Sequence, residues 1–198
     1  MDELCLLDGS YQDAVSALLE KYGPATDDFF SDKSYARFKN GEIKAPSKRK
    51  ISRTNEGLFC HHIDEDKQIL ISTPQAILFY DIPFEYQKKD RLVYCNLIEH
   101  AVLHLLIAAE TYDENSSGQL LGIGGYMNFI RPNILSRLVF GNEPTAKWSI
   151  NCWKTIQMEP RKAKKMVKEM DKFLLRNYPS VTRRDLKDAY EESVFNTF

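Results

Sequence analysis

The chain has 198 residues, a net charge of -1, 43% hydrophobic residues and 28% charged ones. That balance excludes a disordered or fibrous polymer and fits a chain that builds an apolar core. It also excludes a global basic field, so attraction for nucleic acid has to come from local patches. No apolar run reaches the roughly 18 residues of a membrane span. The acidic start MDELCLLDGSYQD lacks the basic-then-apolar order of a signal peptide, so a cytoplasmic protein with no membrane partner is expected. Four cysteines, Cys5, Cys60, Cys95 and Cys152, are scattered without a CxxC, and are read as small buried apolar residues.

In chain order, SYQDAVSALLEKY (10–22) spaces Ala14, Val15, Leu18 and Leu19 as a helix after a Ser10 cap, and Gly23-Pro24 ends it. Residues 40–57 carry turn signals at Asn40-Gly41, Pro46 and Gly57, and read as a loop or arm. The arm is basic: KNGEIKAPSKRKISR (39–53) holds Lys39, Lys44, Lys48, Arg49, Lys50 and Arg53 against Glu42. Leu58 to Ile63 reads as a short strand containing His61 and His62. KQILIST (67–73), rich in β-branched residues, reads as a second strand, and residues 74–90, with Pro74 and Pro83, as an irregular insert. Leu92 to Cys95 is the next strand. Asn96 then caps a helix running from Leu97 to about Glu110, with Glu99 completing a capping box. This helix is apolar nearly all round and should be buried. The glycine-rich stretch 111–125, ending in GIGGY, matches neither GxGxxG nor GxxxxGK[ST] and reads as a flexible connection. Helices are expected over 134–140, over 160–177 with Pro160 at its start, and over 182–192 after a Thr182 cap. The second of these segments contains a second basic run, RKAKKMVK (161–168).

All four histidines fall in two pairs, His61-His62 and His100/His104. Four apart on a helix, His100 and His104 share one face, the spacing that lets two imidazoles hold one metal. A third ligand and a base then have to come from the 61–62 pair. Neighbours in a strand point to opposite faces, so one of the two would face the helix and the other solvent or substrate. Three ligands with an open position make a site for chemistry, and imidazole suits zinc, nickel and similar divalent ions. A zinc peptidase is disfavoured, because the general-base position of HExxH is Ala101 here. Metal-assisted phosphodiester hydrolysis survives.

A double histidine leaving a strand, a later strand, and a helix with two histidines resemble the HNH, or ββα-metal, nuclease superfamily, in spacing the nuclease domains of DNase colicins. The resemblance covers residues 55–110. It implies a small ββα-metal core there; with the helical and basic-arm segment (1–54) and the mostly helical extension (111–198) read from the flanking residues, the chain as a whole is expected to be α+β. The resemblance implies one divalent cation (Zn, Mg, Mn or Ni) on His61, His100 and His104, with His62 as general base. Arg91 stands nine residues before His100, where the family has an asparagine. In this reading Arg91 or Arg53 contacts the scissile phosphate, and Lys48, Arg49 and Lys50 clamp DNA backbone. A cutter of two-fold symmetric sites would act as a homodimer. The alternative is an HNH-shaped binding protein that occupies DNA or a protein partner without cutting.

Overall fold

The computed structural model describes residues 3–112 and 120–195. The fold is α+β, mostly helical, with one two-stranded antiparallel sheet among the described residues. Helix α1 (Tyr11–Tyr22) opens on the expected cap: the Ser10 hydroxyl accepts from the Asp13 N–H while the Asp13 carboxylate accepts from the Ser10 N–H. It stops at Gly23, whose φ of 75° suits glycine. Helix α2 (Asp32–Lys39) was not anticipated, because its sequence is mostly polar; it buries only Tyr35 and Phe38, three residues apart.

Strand β1 (Phe59–His62) pairs with β2 (Leu92–Cys95), His61 opposite Val93 and His62 opposite Leu92. The two-residue pleat then sorts the hairpin's side chains. Val93 and Cys95 join one hydrophobic cluster with α1 and the histidine helix, while Leu92 and Tyr94 join a second with Phe29, Tyr35 and Ile77. One residue after β2, helix α4 (Leu97–Glu110) begins with the expected capping box: the Asn96 side chain accepts from the Ile98 and Glu99 N–H groups and Glu99 accepts from the Asn96 N–H. Buried Glu99 also accepts from Lys21 Nζ at 2.6 Å and Tyr22 Oη at 2.9 Å, which ties the end of α1 to the start of α4.

Residues 63–91 join the strands. They start in a 3-10 turn (Ile63–Asp66) and include α3 (Pro74–Phe79). The strand expected over 67–73 is absent. Leu70 takes a φ of 57°, which bends the chain, buries Ile71 and leaves Leu70 outside. Pro74 then opens α3, with extended Thr73 before it.

From residue 120 the chain continues as α5 (Ile123–Gly125), a π-helical turn (Tyr126–Ile130), α6 (Arg131–Ile134) and a second π-helical turn (Leu135–Val139). Residues 121–125 of the expected flexible connection are therefore turn and helix, and residues 113–119 lie outside the described residues. Helices α7 (Lys147–Lys154), α8 (Pro160–Asn177) and α9 (Arg183–Phe195) complete the fold. Helix α8 buries Ala163, Met166, Val167, Met170 and Leu174 on one stripe and packs on α4. Its basic run, Arg161, Lys162, Lys164, Lys165 and Lys168, is on the exposed side. Among the described residues, no helix is long and apolar enough to cross a membrane.

Candidate metal centre

The hairpin turns the His61 side chain toward α4, where His100 and His104 lie one turn apart. The three residues offer ligand atoms that all lie within 4.8 Å of one another. His100 Nε2 and His104 Nε2 are 3.2 Å apart. Zn–N bonds of about 2.0–2.1 Å in a tetrahedron set neighbouring donors roughly 3.3 Å apart, so that spacing suits one shared ion. Phe59, two residues before His61 and on the same strand face, packs its ring 5.9 Å from His100, and Trp148 packs on Phe59.

The hydrogen bonds outside the cluster set which ring nitrogens are free. The Tyr11 hydroxyl lies 2.9 Å from His61 Nε2 and donates to the Ile63 carbonyl at 2.8 Å. Its one proton is thus committed, and His61 Nε2–H must donate to it. That leaves a lone pair on His61 Nδ1, which is buried with no hydrogen-bond partner. Such an orphan costs about 1–3 kcal/mol, and a cation between the three rings would satisfy it. His104 Nδ1 lies 3.1 Å from the Gly122 carbonyl and donates to it, which frees Nε2. Metal-binding imidazoles commonly have such outer partners. Burial holds the rings in the neutral, ligating form. Desolvation, then the neighbouring rings, pushes His61 and His100 well below the usual imidazole range, and desolvation lowers His104 to about 4. These observations fit a divalent cation.

Glu65 joins the same place. It sits in the 3-10 turn after β1, and its Oε2 lies 3.4 Å from His104 Nε2 and 3.8 Å from His61 Nδ1. Desolvation raises its carboxyl to about 8. His100, His104 and Glu65 line a cavity of about 510 Å³, walled by Ile69, Leu70, Phe129 and Ile130, with Thr73 and Asn128 as polar groups. No lysine or arginine lines it among the described residues.

Two glycines hold His104 in place. Gly122 has φ 70°, and a Cβ there would lie 2.6 Å from the Ala108 nitrogen and closer still to the His104 carbonyl. A Cβ on Gly125 would lie 2.5 Å from His104 Nδ1 and overlap Cε1. The GIGGY segment is thus a close-packed plate against the histidine helix.

The structure does not bring the other expected residues to this cluster. His62 is on the opposite face of β1, 2% exposed, with its ring 4.5 Å from Phe29 and its Nε2 3.2 Å from Gln87 Oε1. The Gln87 amide donates to the Ile71 carbonyl at 3.0 Å, so its oxygen accepts the His62 proton. As adjacent strand residues do, His62 points away from His61, but its face is covered by Phe29 and Gln87 where the expected general base would have met water. Burial lowers the His62 ring to about 4.

Lys48, Arg49 and Lys50 are exposed on the arm. The Lys48 ammonium lies 4.4 Å from the Phe29 ring centroid, and Arg49 pairs with Asp27 at 2.8 Å. Arg53 grips Glu56 at 2.9 and 2.6 Å and covers Tyr94, a side chain on the hairpin face away from the cluster. Arg91 pairs with buried Asp64 through two hydrogen bonds, while Lys67 donates to the same carboxylate at 2.7 Å. Arg91 therefore ties the start of the inter-strand segment to its end. All three arginines have carboxylate partners inside the chain.

No family model, curated protein or solved structure matches this chain. Tyr11, Glu65, Gly122 and Gly125 were missed as site residues. For Glu65 a signal existed, its position four after His61; for the other three the contacts are long-range and leave no local pattern.

Proposed function

We propose that this protein is a divalent-metal-dependent hydrolase that cuts nucleic-acid phosphodiester bonds on an HNH-like ββα-metal scaffold, with DNA as substrate. The observation that carries the reading is the convergence of His61, His100 and His104 with an unpartnered Nδ1 on His61. The order of strand, long segment, strand and immediate helix supports it.

A bound divalent ion would supply Lewis-acid stabilisation of charge on a phosphoryl oxygen and would lower the pKa of water. The chain's own residues do the rest. The three imidazoles bind, Tyr11 and Gly122 fix two of the rings, and the apolar cavity wall limits bulk water beside the reacting group. Exposed Lys48 and Lys50, with Lys162, Lys164, Lys165 and Lys168 of α8, are available to phosphates, each contact adding salt-dependent affinity. Arg49, Arg53 and Arg91 would first have to leave their carboxylates. A His62 base is not part of this proposal, because its Nε2 proton is held by Gln87.

A second reading, an HNH-shaped binding protein that does not cut, is favoured by a cavity that no lysine or arginine lines among the described residues and by the inward His62. Incubating supercoiled plasmid and single-stranded circular DNA with the protein and Mg²⁺, Mn²⁺, Ni²⁺ or Zn²⁺ separates the two. Cleavage that disappears in His104→Ala supports hydrolysis. Intact DNA under every ion refutes it and leaves the binding reading.

A further inference from the structure

We propose that Glu65 is a fourth protein ligand of the cation, making a site of three imidazoles and one carboxylate. The proposal rests on the metal-centre reading above. It differs from the three-histidine set expected from sequence.

Position comes first. Glu65 follows His61 by four residues, in the 3-10 turn (Ile63–Asp66) that leaves β1, so one local segment presents both groups to α4. Its Oε2 lies 3.4 Å from His104 Nε2, near the 3.2 Å between the two helix imidazoles. It also lies 3.8 Å from His61 Nδ1, too long for a hydrogen bond and longer than the roughly 3.3 Å between donors sharing a tetrahedral ion. Closure around an ion would have to bring Oε2 toward all three imidazoles, since Glu65 stands outside the group whose ligand atoms lie within 4.8 Å of one another. The neighbouring acids are placed differently. Asp64 is taken up by Arg91 and Lys67, and of Asp64, Glu65 and Asp66 only Glu65 comes within 4.0 Å of an imidazole nitrogen among the described residues. The carboxylate also offsets part of the ion's charge, which three neutral rings cannot do.

The ligand count limits the ion's behaviour. Four protein donors fill a four-coordinate ion, the pattern of closed structural sites. Hydrolysis then needs an ion that takes five or six ligands, with the additional positions on the cavity side, where His100, His104 and Glu65 all lie.

The test is titration calorimetry of Zn²⁺ and Co²⁺ into the full chain, wild type against Glu65→Gln, with circular dichroism as a check of folding. Losing an outer-shell partner alone costs about 10–100-fold in affinity, so Glu65→Gln should bind at least about 100-fold more weakly, with a changed Co²⁺ visible spectrum. Affinity within about threefold of wild type, with an unchanged spectrum, overturns the proposal and leaves the three-histidine centre standing. If wild type itself takes up neither ion, the metal centre fails and the ligand assignment with it. Should the variant not fold, a Zn²⁺-loaded crystal structure of the wild-type protein decides. A Glu65 oxygen about 2.0–2.2 Å from the ion supports the proposal, and one beyond roughly 3 Å overturns it.

Discussion

Gly125→Ala sets two effects of known sign against each other. Gly125 has helical angles, φ -63° and ψ -46°, so alanine should by itself stabilise the helix by about 1 kcal/mol. Its new methyl, however, would lie 2.5 Å from His104 Nδ1 and overlap the ring. Either the ring rotates or α5 retreats. Overpacking of this kind costs about 1–3 kcal/mol, and losing the His104 bond to the Gly122 carbonyl costs about 1 kcal/mol more. The net expectation is a loss of about 1–3 kcal/mol, with Zn²⁺ affinity reduced about 10–100-fold as His104 loses its orientation. Gly124→Ala is the control: nothing lies within 4 Å of its added methyl, so it should stabilise by up to about 1 kcal/mol and leave affinity alone. Urea unfolding with equal slopes and Zn²⁺ calorimetry read both quantities. A Gly125→Ala protein as stable as Gly124→Ala, with wild-type affinity, would refute the packing of the glycine plate on His104.

Tyr11→Phe removes the acceptor of the His61 Nε2 proton and should cost about 1–3 kcal/mol in urea unfolding, with Zn²⁺ binding weakened roughly tenfold. Arg91→Ala leaves the Asp64 side chain, 1% exposed, with Lys67 alone, and should destabilise by about 2–3 kcal/mol, while Arg91→Lys recovers part of that. For His62 the folded chain protonates at about 4 against an ordinary 6.5, so the unfolded chain binds the proton first. Its contribution to stability is full above the unfolded value and is lost as pH falls from 6.5 toward 4, about 3 kcal/mol in all. In unfolding curves taken over that range with chelator present, His62→Gln should flatten this part of the slope. The same variant should keep wild-type Zn²⁺ affinity in calorimetry, since His62 faces away from the cluster.

What the sequence announces is local. Ser10 with Asp13 and Asn96 with Glu99 mark two helix starts, because a capping box satisfies its own backbone groups within four residues. Pro160 likewise marks α8. The HxxxH spacing and the strand before it disclosed the metal candidates for the same reason: helix and strand periodicity fix side-chain direction without tertiary information. The face each member of the 61–62 pair takes is different, because it depends on which side of the hairpin α4 covers. The resemblance supplied the ligand role for His61 and the base role for His62; hairpin pleat and packing then turned the latter toward Phe29 and Gln87. KQILIST looked extended because its residues are β-branched, but one left-handed Leu70 breaks the run. The partners of Arg49, Arg53 and Arg91 were equally hidden, since a basic run reports charge and not whether that charge is already paired.

The most direct test of the account is metal content after loading. Wild-type protein dialysed against Zn²⁺ and measured by mass spectrometry of its elements should carry one ion per chain, and the folded His104→Ala protein should carry none. Equal metal content in the two proteins, or none in the wild type, contradicts a centre built on His61, His100 and His104.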